Sequence, residues 1–325
     1  MTPLLSLRDL SVHVGGVTPV SGVSLDVGRG EVLGLVGESG SGKSLTLRAV
    51  LRLLPPAARV TGQALWDGQD LVTLPEPRIR ALRGRDIAMI FQEPMTALNP
   101  VVPVGVQITE SLGVHLGLRG GAARRRAVEL LDQVGIPDAA RRLGAFPHEF
   151  SGGMRQRAMI AIALAAGPKL LLADEPTTAL DVTIQDQILK LLLRLKDELA
   201  MSVVLVTHDL GVVAGTCDRV AVLYAGRVME TGPTERLFAR PSHAYTLGLL
   251  RSLPDAAHAR QRLQGIPGVP PDPAALPQGC RFLPRCAYAV PACRPGQPPL
   301  LEVAEGQDSA CVRARELLEE APEAA

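Results

Sequence analysis

Residues 37–44 read Gly-Glu-Ser-Gly-Ser-Gly-Lys-Ser, and no other stretch restricts the chain so tightly. The spacing G-x-x-x-x-G-K-S is that of a phosphate-cradling loop, which carries meaning only between a strand and a helix. Both are present. Residues 31–36 (EVLGLV) form a short apolar run of strand type, and residues 44–54 (SLTLRAVLRLL) have helical spacing closed by Pro55. Glycines let the backbone curl around an anion so that successive N–H groups point inward. The helix N-terminus adds a partial positive charge. In such a loop Gly37, Glu38, Ser39, Gly40, Ser41 and Gly42 form the cradle, Lys43 reaches the β- and γ-phosphates, and the Ser44 hydroxyl holds Mg²⁺.

The length of 325 residues allows one large domain with a smaller one, or two domains. Aromatic residues make up only 3% of the chain, so the core must be built from Leu, Val, Ile and Ala. The net charge of +1 gives no electrostatic case for nucleic acid as a partner. The cluster Arg124-Arg125-Arg126 reads as a solvated helix face. The first ten residues lack the pattern of a secretory signal, and the longest apolar run, 159–166, is too short to span a membrane. A soluble, cytoplasmic chain is expected, with any membrane role reached through a partner.

Residues 4–14 and 22–27 alternate as half-exposed strands, 60–66 reads as a strand closed by Asp67-Gly68, and 86–91 (DIAMIF) is strand-like and delivers Gln92. Pro94, Pro100 and Pro103 then break the chain, and helical runs follow at 106–118, 122–134 and 154–166, so that about 95–168 reads as a helical insertion. Residues 169–174 (KLLLAD) form a buried parallel strand. An amphipathic helix over 181–199 follows, with Asp181 as N-cap. Residues 202–206 form the next buried strand, ending at Thr207-His208-Asp209, and 219–224 with 227–230 form a hairpin about Ala225-Gly226. Beyond about 235 the composition shifts. Residues 265–300 are rich in Pro, Gly and Cys, an appendage too poor in apolar periodicity for its own core, and the acidic end at 316–325 is expected to fray.

Leu170-Leu171-Leu172-Ala173-Asp174-Glu175 has the form of a Walker B motif. Asp174 at the end of a buried strand can position Mg²⁺, and Glu175 can polarise an attacking water. A solvated acidic strand end is the plainer reading. Ser151-Gly152-Gly153-Met154-Arg155-Gln156-Arg157 opens a second helix with bare N–H groups. It is either an ordinary serine-capped helix or a phosphate grip. One chain has no use for a second grip at the same site, so a grip here would serve a nucleotide held by another subunit.

Taken in order, the phosphate loop 37–44, Gln92, the signature 151–157, the Walker B strand 170–175, Ala179-Leu180-Asp181 and His208 resemble the ATP-binding subunit of an ABC transporter over about residues 4–235. The sequences Phe91-Gln92-Glu93-Pro94-Met95-Thr96-Ala97-Leu98-Asn99-Pro100, SGGMRQR, Pro241-Ser242-His243-Ala244-Tyr245-Thr246 and Gly279-Cys280-Arg281-Phe282-Leu283-Pro284-Arg285-Cys286 are similar to the oligopeptide/dipeptide importer branch. The resemblance implies an α/β P-loop ABC-type nucleotide-binding domain over 1–235, with a helical subdomain at about 95–168 and a Pro/Cys-rich C-terminal extension over 236–325. It implies ATP hydrolysis that powers import of di- or oligopeptides. A head-to-tail pair of ATPase subunits, the second a different chain, would hold two ATPs. Lys43, Ser44 and Asp174 of one would face Ser151, Gly152 and Gly153 of the other, with Asp181 in the connecting loop. Ser44, Gln92 and Asp174 would hold Mg²⁺, Glu175 would be the general base, and His208 would orient γ-phosphate and water. Gln92 would link the site to a helical subdomain docked on two permease subunits at the cytoplasmic face of the membrane, fed by an extracytoplasmic peptide-binding protein. Rival readings are the same motor for nickel or glutathione, a soluble ABC ATPase acting on nucleic acid or ribosomes, and a catalytically dead regulator. Near-zero charge and the absence of a coiled-coil insertion oppose the second, and intact Glu175 and His208 oppose the third.

Two features stand apart. Where ABC ATPases usually stack adenine on an aromatic residue, this chain has Val14 beside His13, which predicts weak base selectivity or His13 as a substitute. Cys280, Cys286, Cys293 and Cys311 cluster without the C-x2-C pairs of common zinc sites, while Cys217 stands alone as a small packed residue. Their spacing leaves metal binding or plain reduced thiols open. The family resemblance implies a [4Fe–4S] cluster, with zinc second, as a structural clip for a segment without a core.

Overall fold

The computed structural model describes residues 2–93, 97–178, 180–253 and 265–320. Pro94, Met95 and Thr96 of the motif after Gln92, Ala179 and residues 321–325 of the acidic C-terminal end lie outside the described residues. The chain forms two compact units, one of residues 1–27, 32–72 and 207–325 and the other of 28–31 and 73–206.

In the first unit, β1 (Leu5–Val14) lies between β2 (Val17–Val27) and β4 (Arg59–Trp66) in an antiparallel sheet finished by the short β5 (Gln69–Asp70). β1 and β2 meet with Val14 opposite Val17 across Gly15-Gly16, both at positive φ. This tight turn favours glycine and starts β2 five residues earlier than the 22–27 expected from alternation. A second set of strands runs from β3 (Val32–Val36), fully buried and parallel to β9 (Arg219–Tyr224). β9 pairs with β10 (Arg227–Pro233) through the predicted Ala225-Gly226 hairpin. β10 pairs in turn with β12 (Gln307–Ser309), and β12 with β11 (Leu301–Ala304). Residues far beyond the hairpin thus extend its sheet.

The helix after the phosphate loop, α1, covers Lys43–Val50 and stops short of the predicted end at 54. Arg52 turns to φ 53, its N–H donates to the Ala49 carbonyl, and the Leu53 N–H donates to the Arg48 carbonyl. This pair of bonds closes a helix end on a left-handed residue, and the break therefore precedes Pro55.

In the second unit, β6 (Ile87–Ile90), β7 (Leu170–Asp174) and β8 (Ser202–Val206) run parallel with β7 in the middle. Every residue of β7 and β8 is buried, which explains their unbroken apolar sequences. Before β6 lies α2 (Glu76–Leu82); between β6 and β7 come α3 (Val104–Leu116), α4 (Gly120–Gln133), α5 (Ala139–Arg142) and α6 (Gly152–Leu164). α7 (Val182–Glu198) connects β7 to β8, capped by Asp181, whose carboxylate accepts the Ile184 N–H at 3.0 Å.

Further α-helices among the described residues of the first unit are α8 (Leu210–Thr216), α9 (Thr234–Ala239), α10 (Ala244–Arg251) and α11 (Ala314–Glu320). A buried carboxylate sits here among apolar residues such as Met229, Leu237 and Tyr245. Glu230 of β10 is fully buried and accepts from Ser242 N at 2.7 Å, Ser242 Oγ at 2.6 Å, His243 N at 3.1 Å and Gln307 Nε2 at 2.9 Å. Burial raises its pKa, and these donors oppose the rise. Glu230→Ala strands several buried donors, and urea unfolding should show a loss of about 2–3 kcal/mol.

Candidate active site

The phosphate loop belongs to the first unit. Gly37 follows β3 at φ 149, and a Cβ there would collide with the Leu223 carbonyl oxygen, so only glycine fits. Ser41 N–H returns to the Glu38 carbonyl at 3.2 Å, curling the loop, and Gly42 at φ 99 leads into α1. Lys43 is buried, and its Nζ donates to the carbonyls of Gly37 at 2.8 Å and Glu38 at 3.0 Å. The ammonium thus arches back over its own loop. Ser39 and Gly40 are exposed at the tip, and Ser44 is half-buried in the first turn of α1. His208 is exposed just before α8; Asp209 caps that helix by accepting from Gly211 N at 2.8 Å and Val212 N at 3.2 Å.

The second unit carries the acidic residues. Asp174 ends β7 fully buried, and Glu175 follows with φ 47, a left-handed conformation unusual outside glycine. Glu175 Oε2 accepts from Gln92 Nε2 at 3.2 Å and from Thr178 Oγ1 at 2.7 Å. Its N–H donates to the Val206 carbonyl at 3.1 Å. Gln92, expected on Mg²⁺, and Glu175, the expected general base, are therefore side by side. The sequence does not single out Thr178; a hydroxyl three residues after the carboxylate that ends the apolar strand is the signal it carries. Ser151 caps α6, accepting the Met154 N–H at 3.3 Å, and is exposed with Gly152. A Cβ on Gly153 would stand 2.9 Å from Ile184 Cγ2 at the start of α7, so this glycine lets the signature helix approach the Asp181 cap.

His13 is half-buried on β1. Its Nδ1 lies 3.0 Å from Thr18 Oγ1 and its Nε2 3.0 Å from Thr61 Oγ1, pinning the ring within the β1-β2-β4 sheet. Cys217 is buried against Gly34, where an added Cβ would stand 3.0 Å from its Sγ, and burial lifts its thiol to about 11. This is the packed residue expected.

Cys280, Cys286, Cys293 and Cys311 line one small cavity of about 20 Å³ together with His243. All four are free thiols. Burial pushes Cys280 up to about 11 and raises Cys286 and Cys311 as well. His243 Nδ1 accepts the Tyr245 N–H at 3.0 Å, which puts its proton on Nε2, and Nε2 is buried with no hydrogen-bond partner among the described residues. The thiols and this orphaned donor fit a thiolate-bound group in number and kind. Among the described residues, however, no group of three or more His, Cys, Asp or Glu side chains is arranged to hold a metal ion as it stands.

Residues 20–178 match the ABC transporter family model, and residues 229–293 match that of the oligopeptide/dipeptide transporter C-terminal region. The fold is similar to the dimeric post-hydrolysis state of the ATP-binding cassette MJ0796 bound to ADP and Pi (TM-score 0.63, 30% identity, 71% of this chain and 98% of that one). It is also similar to cbiO1 from Clostridium perfringens, part of the ABC transporter complex cbiONQ (TM-score 0.64, 29% identity, 74% and 92%). The chain is an ATP-hydrolysing ABC cassette. A relative from Brucella abortus (strain 2308) named as a peptide import ATP-binding protein is 51% identical over 95% of this chain and 94% of its own length. The oligopeptide transport ATP-binding protein OppD of Bacillus subtilis (strain 168) is 49% identical over 94% and 87%. The chain belongs to the peptide-import branch of the ABC transporter ATP-binding proteins.

Thr178→Val removes the hydroxyl that holds the Glu175 carboxylate and should lower ATPase kcat about tenfold with little change in KM, as measured by steady-state phosphate release.

Proposed function

We propose that this chain is the motor subunit of a peptide importer, hydrolysing ATP on the cytoplasmic face of a membrane to drive di- or oligopeptides through a permease. The observation that carries the chemistry is the Glu175 carboxylate at the end of a buried strand, held by Gln92 and Thr178. The peptide substrate is supported by the oligopeptide/dipeptide transporter C-terminal region and by relatives near 50% identity that are named for peptide transport. Nickel or glutathione import has no comparable support, and none supports the soluble or inactive readings.

In this reading the amides of 37–44 and Lys43 hold the phosphates. Ser44, Gln92 and Asp174 hold Mg²⁺. Glu175 takes the proton of the attacking water, and His208 orients that water and the γ-phosphate. Ser151, Gly152, Gly153 and Asp181 complete the site of a second ATPase subunit, a different chain in this branch. ABC-type domain 1–235, its helical part at about 95–168 and extension 236–325 remain the working boundaries. The transport path would belong to two permease subunits, supplied by a peptide-binding protein outside. No helix among the described residues is long and apolar enough to cross a membrane. A cleft of about 890 Å³ among α3, α4 and α5 offers the permease a seat, lined in part by Val106, with Val106 and Val114 exposed on α3. The four-cysteine segment would take a [4Fe–4S] cluster, with zinc second; either would clip the segment in place without entering the reaction.

The test is the ATPase rate of the complex with its permease and partner subunits. Wild type should be stimulated by peptide-loaded binding protein, and Glu175→Gln should fall at least about 10²-fold while still binding ATP. Hydrolysis indifferent to every peptide would remove the peptide assignment and leave the ATPase. Protein purified without oxygen should be brown and contain about four irons per chain by elemental analysis. A colourless, iron-free product would rule out the cluster.

A further inference from the structure

The phosphate loop is held from a second direction, by residues more than two hundred positions later. Tyr245 Oη accepts the Glu38 N–H at 2.9 Å. Arg285 grips the Glu38 carboxylate with both ends of its guanidinium, Nη1 to Oε2 at 2.6 Å and Nη2 to Oε1 at 3.0 Å. One residue of the loop is therefore fixed at both backbone and side chain.

The grip is itself rigid. The Arg285 side chain is only 6% exposed. Its Nε donates to the Pro267 carbonyl at 2.8 Å, its Nη1 to Tyr224 Oη at 3.3 Å, and its guanidinium lies 5.7 Å from the centre of the Tyr224 ring. Tyr224 and Tyr245 pack with ring centres 4.6 Å apart, and Phe282 closes against both at 5.3 and 5.2 Å. A bidentate arginine locked by carbonyls and an aromatic face fixes direction as well as distance. The Glu38 carboxylate raises the pKa of Arg285 further, so the charge is permanent.

Glu38 is a consequential residue to hold. Its carbonyl is one of the two backbone oxygens that receive Lys43 Nζ. Moving the Glu38 peptide moves the seat of the phosphate-binding ammonium. On the other side, Arg285 immediately precedes Cys286, and Phe282, packed on both tyrosines, lies two residues after Cys280, so the arginine of the anchor and the ring that backs it belong to the four-cysteine segment. We infer that Arg285 and Tyr245 are positioning residues for the phosphate loop, through which the C-terminal four-cysteine segment sets the affinity of the loop for nucleotide. The inference rests on the reading that residues 37–44 hold the phosphates. The segment then does more than pad the surface: any change that shifts the turn Leu283–Arg285 reaches Lys43 through one ion pair and one peptide.

The test uses the full-length chain purified as it is isolated, with Mg²⁺ and a fluorescent ATP analogue as probe. Arg285→Met and Tyr245→Phe should each raise the nucleotide Kd about five- to tenfold, with Arg285→Lys in between. The melting temperature of nucleotide-free Tyr245→Phe, which loses only a hydroxyl, should change little. In the assembled transporter KM for ATP should rise while kcat at saturating ATP holds. Combining Arg285→Met with Glu38→Gln should cost no more affinity than the worse single change, since both break one link. Unchanged Kd in folded Arg285→Met would overturn the proposal, as would affinity lost only in step with the nucleotide-free melting temperature. If Arg285→Met does not fold, Tyr245→Phe, which loses a single hydroxyl, and Arg285→Lys decide, and wild-type Kd in both overturns it. Lys43→Ala binding nucleotide as tightly as wild type would instead sink the assignment of the loop, a failure distinguishable from that of the anchor.

Discussion

A buried lysine ammonium needs oxygen acceptors, and Lys43 finds them in its own loop. Much of the first unit follows from that requirement. The Gly37 carbonyl can face the ammonium only because Gly37 takes a conformation closed to other residues, against the Leu223 carbonyl of β9. The loop is thus pressed against the backbone of a neighbouring strand, and β3, short and buried, delivers it there. One charge and one missing Cβ shape the loop from inside, and Tyr245 and Arg285 hold it from outside.

Strain concentrates where chemistry is expected. Glu175 leaves β7 in a left-handed conformation that costs on the order of 1 kcal/mol for a residue with a side chain. The cost is met by fixed partners: Val206 for its N–H, and Thr178 and Gln92 for its carboxylate. A carboxylate that leaves the strand in an ordinary extended conformation would follow the pleat and point elsewhere. The turn re-aims it, and Gln92, arriving just after β6, donates a hydrogen bond to it.

The C-terminal region shows how a segment poor in apolar periodicity is held. Its order comes from polar links made to places already rigid: Gln307 and Ser242 on Glu230 of β10, Arg285 on Glu38, Arg281 on the Ala225 carbonyl. β12 adds to the edge of β10 and covers it. Such links are cheap in sequence, since each needs one residue, but each requires a partner already in place.

The sequence by itself determined the local grammar. The phosphate loop, the buried strands β7 and β8, the Asp181 and Ser151 caps and the Ala225-Gly226 hairpin are all specified within a few residues, because period, capping chemistry and turn geometry are short-range properties. Even there it misjudged where tertiary detail intervened. α1 ended early on Arg52, β2 reached back to a glycine turn, and α8 went unread because Gly211, Gly215 and β-branched valines have weak helix propensity, leaving only Asp209 to mark it. Only the tertiary structure decided that Arg285 meets Glu38 across 247 positions, that Tyr245 caps the same residue, that Thr178 and Gln92 share one carboxylate oxygen, and that four cysteines line one cavity. Those pairings depend on chain reversals that bring distant segments to one point. No local pattern records them, because an arginine, a tyrosine or a threonine carries the same propensities whether or not a partner waits at the other end of the fold.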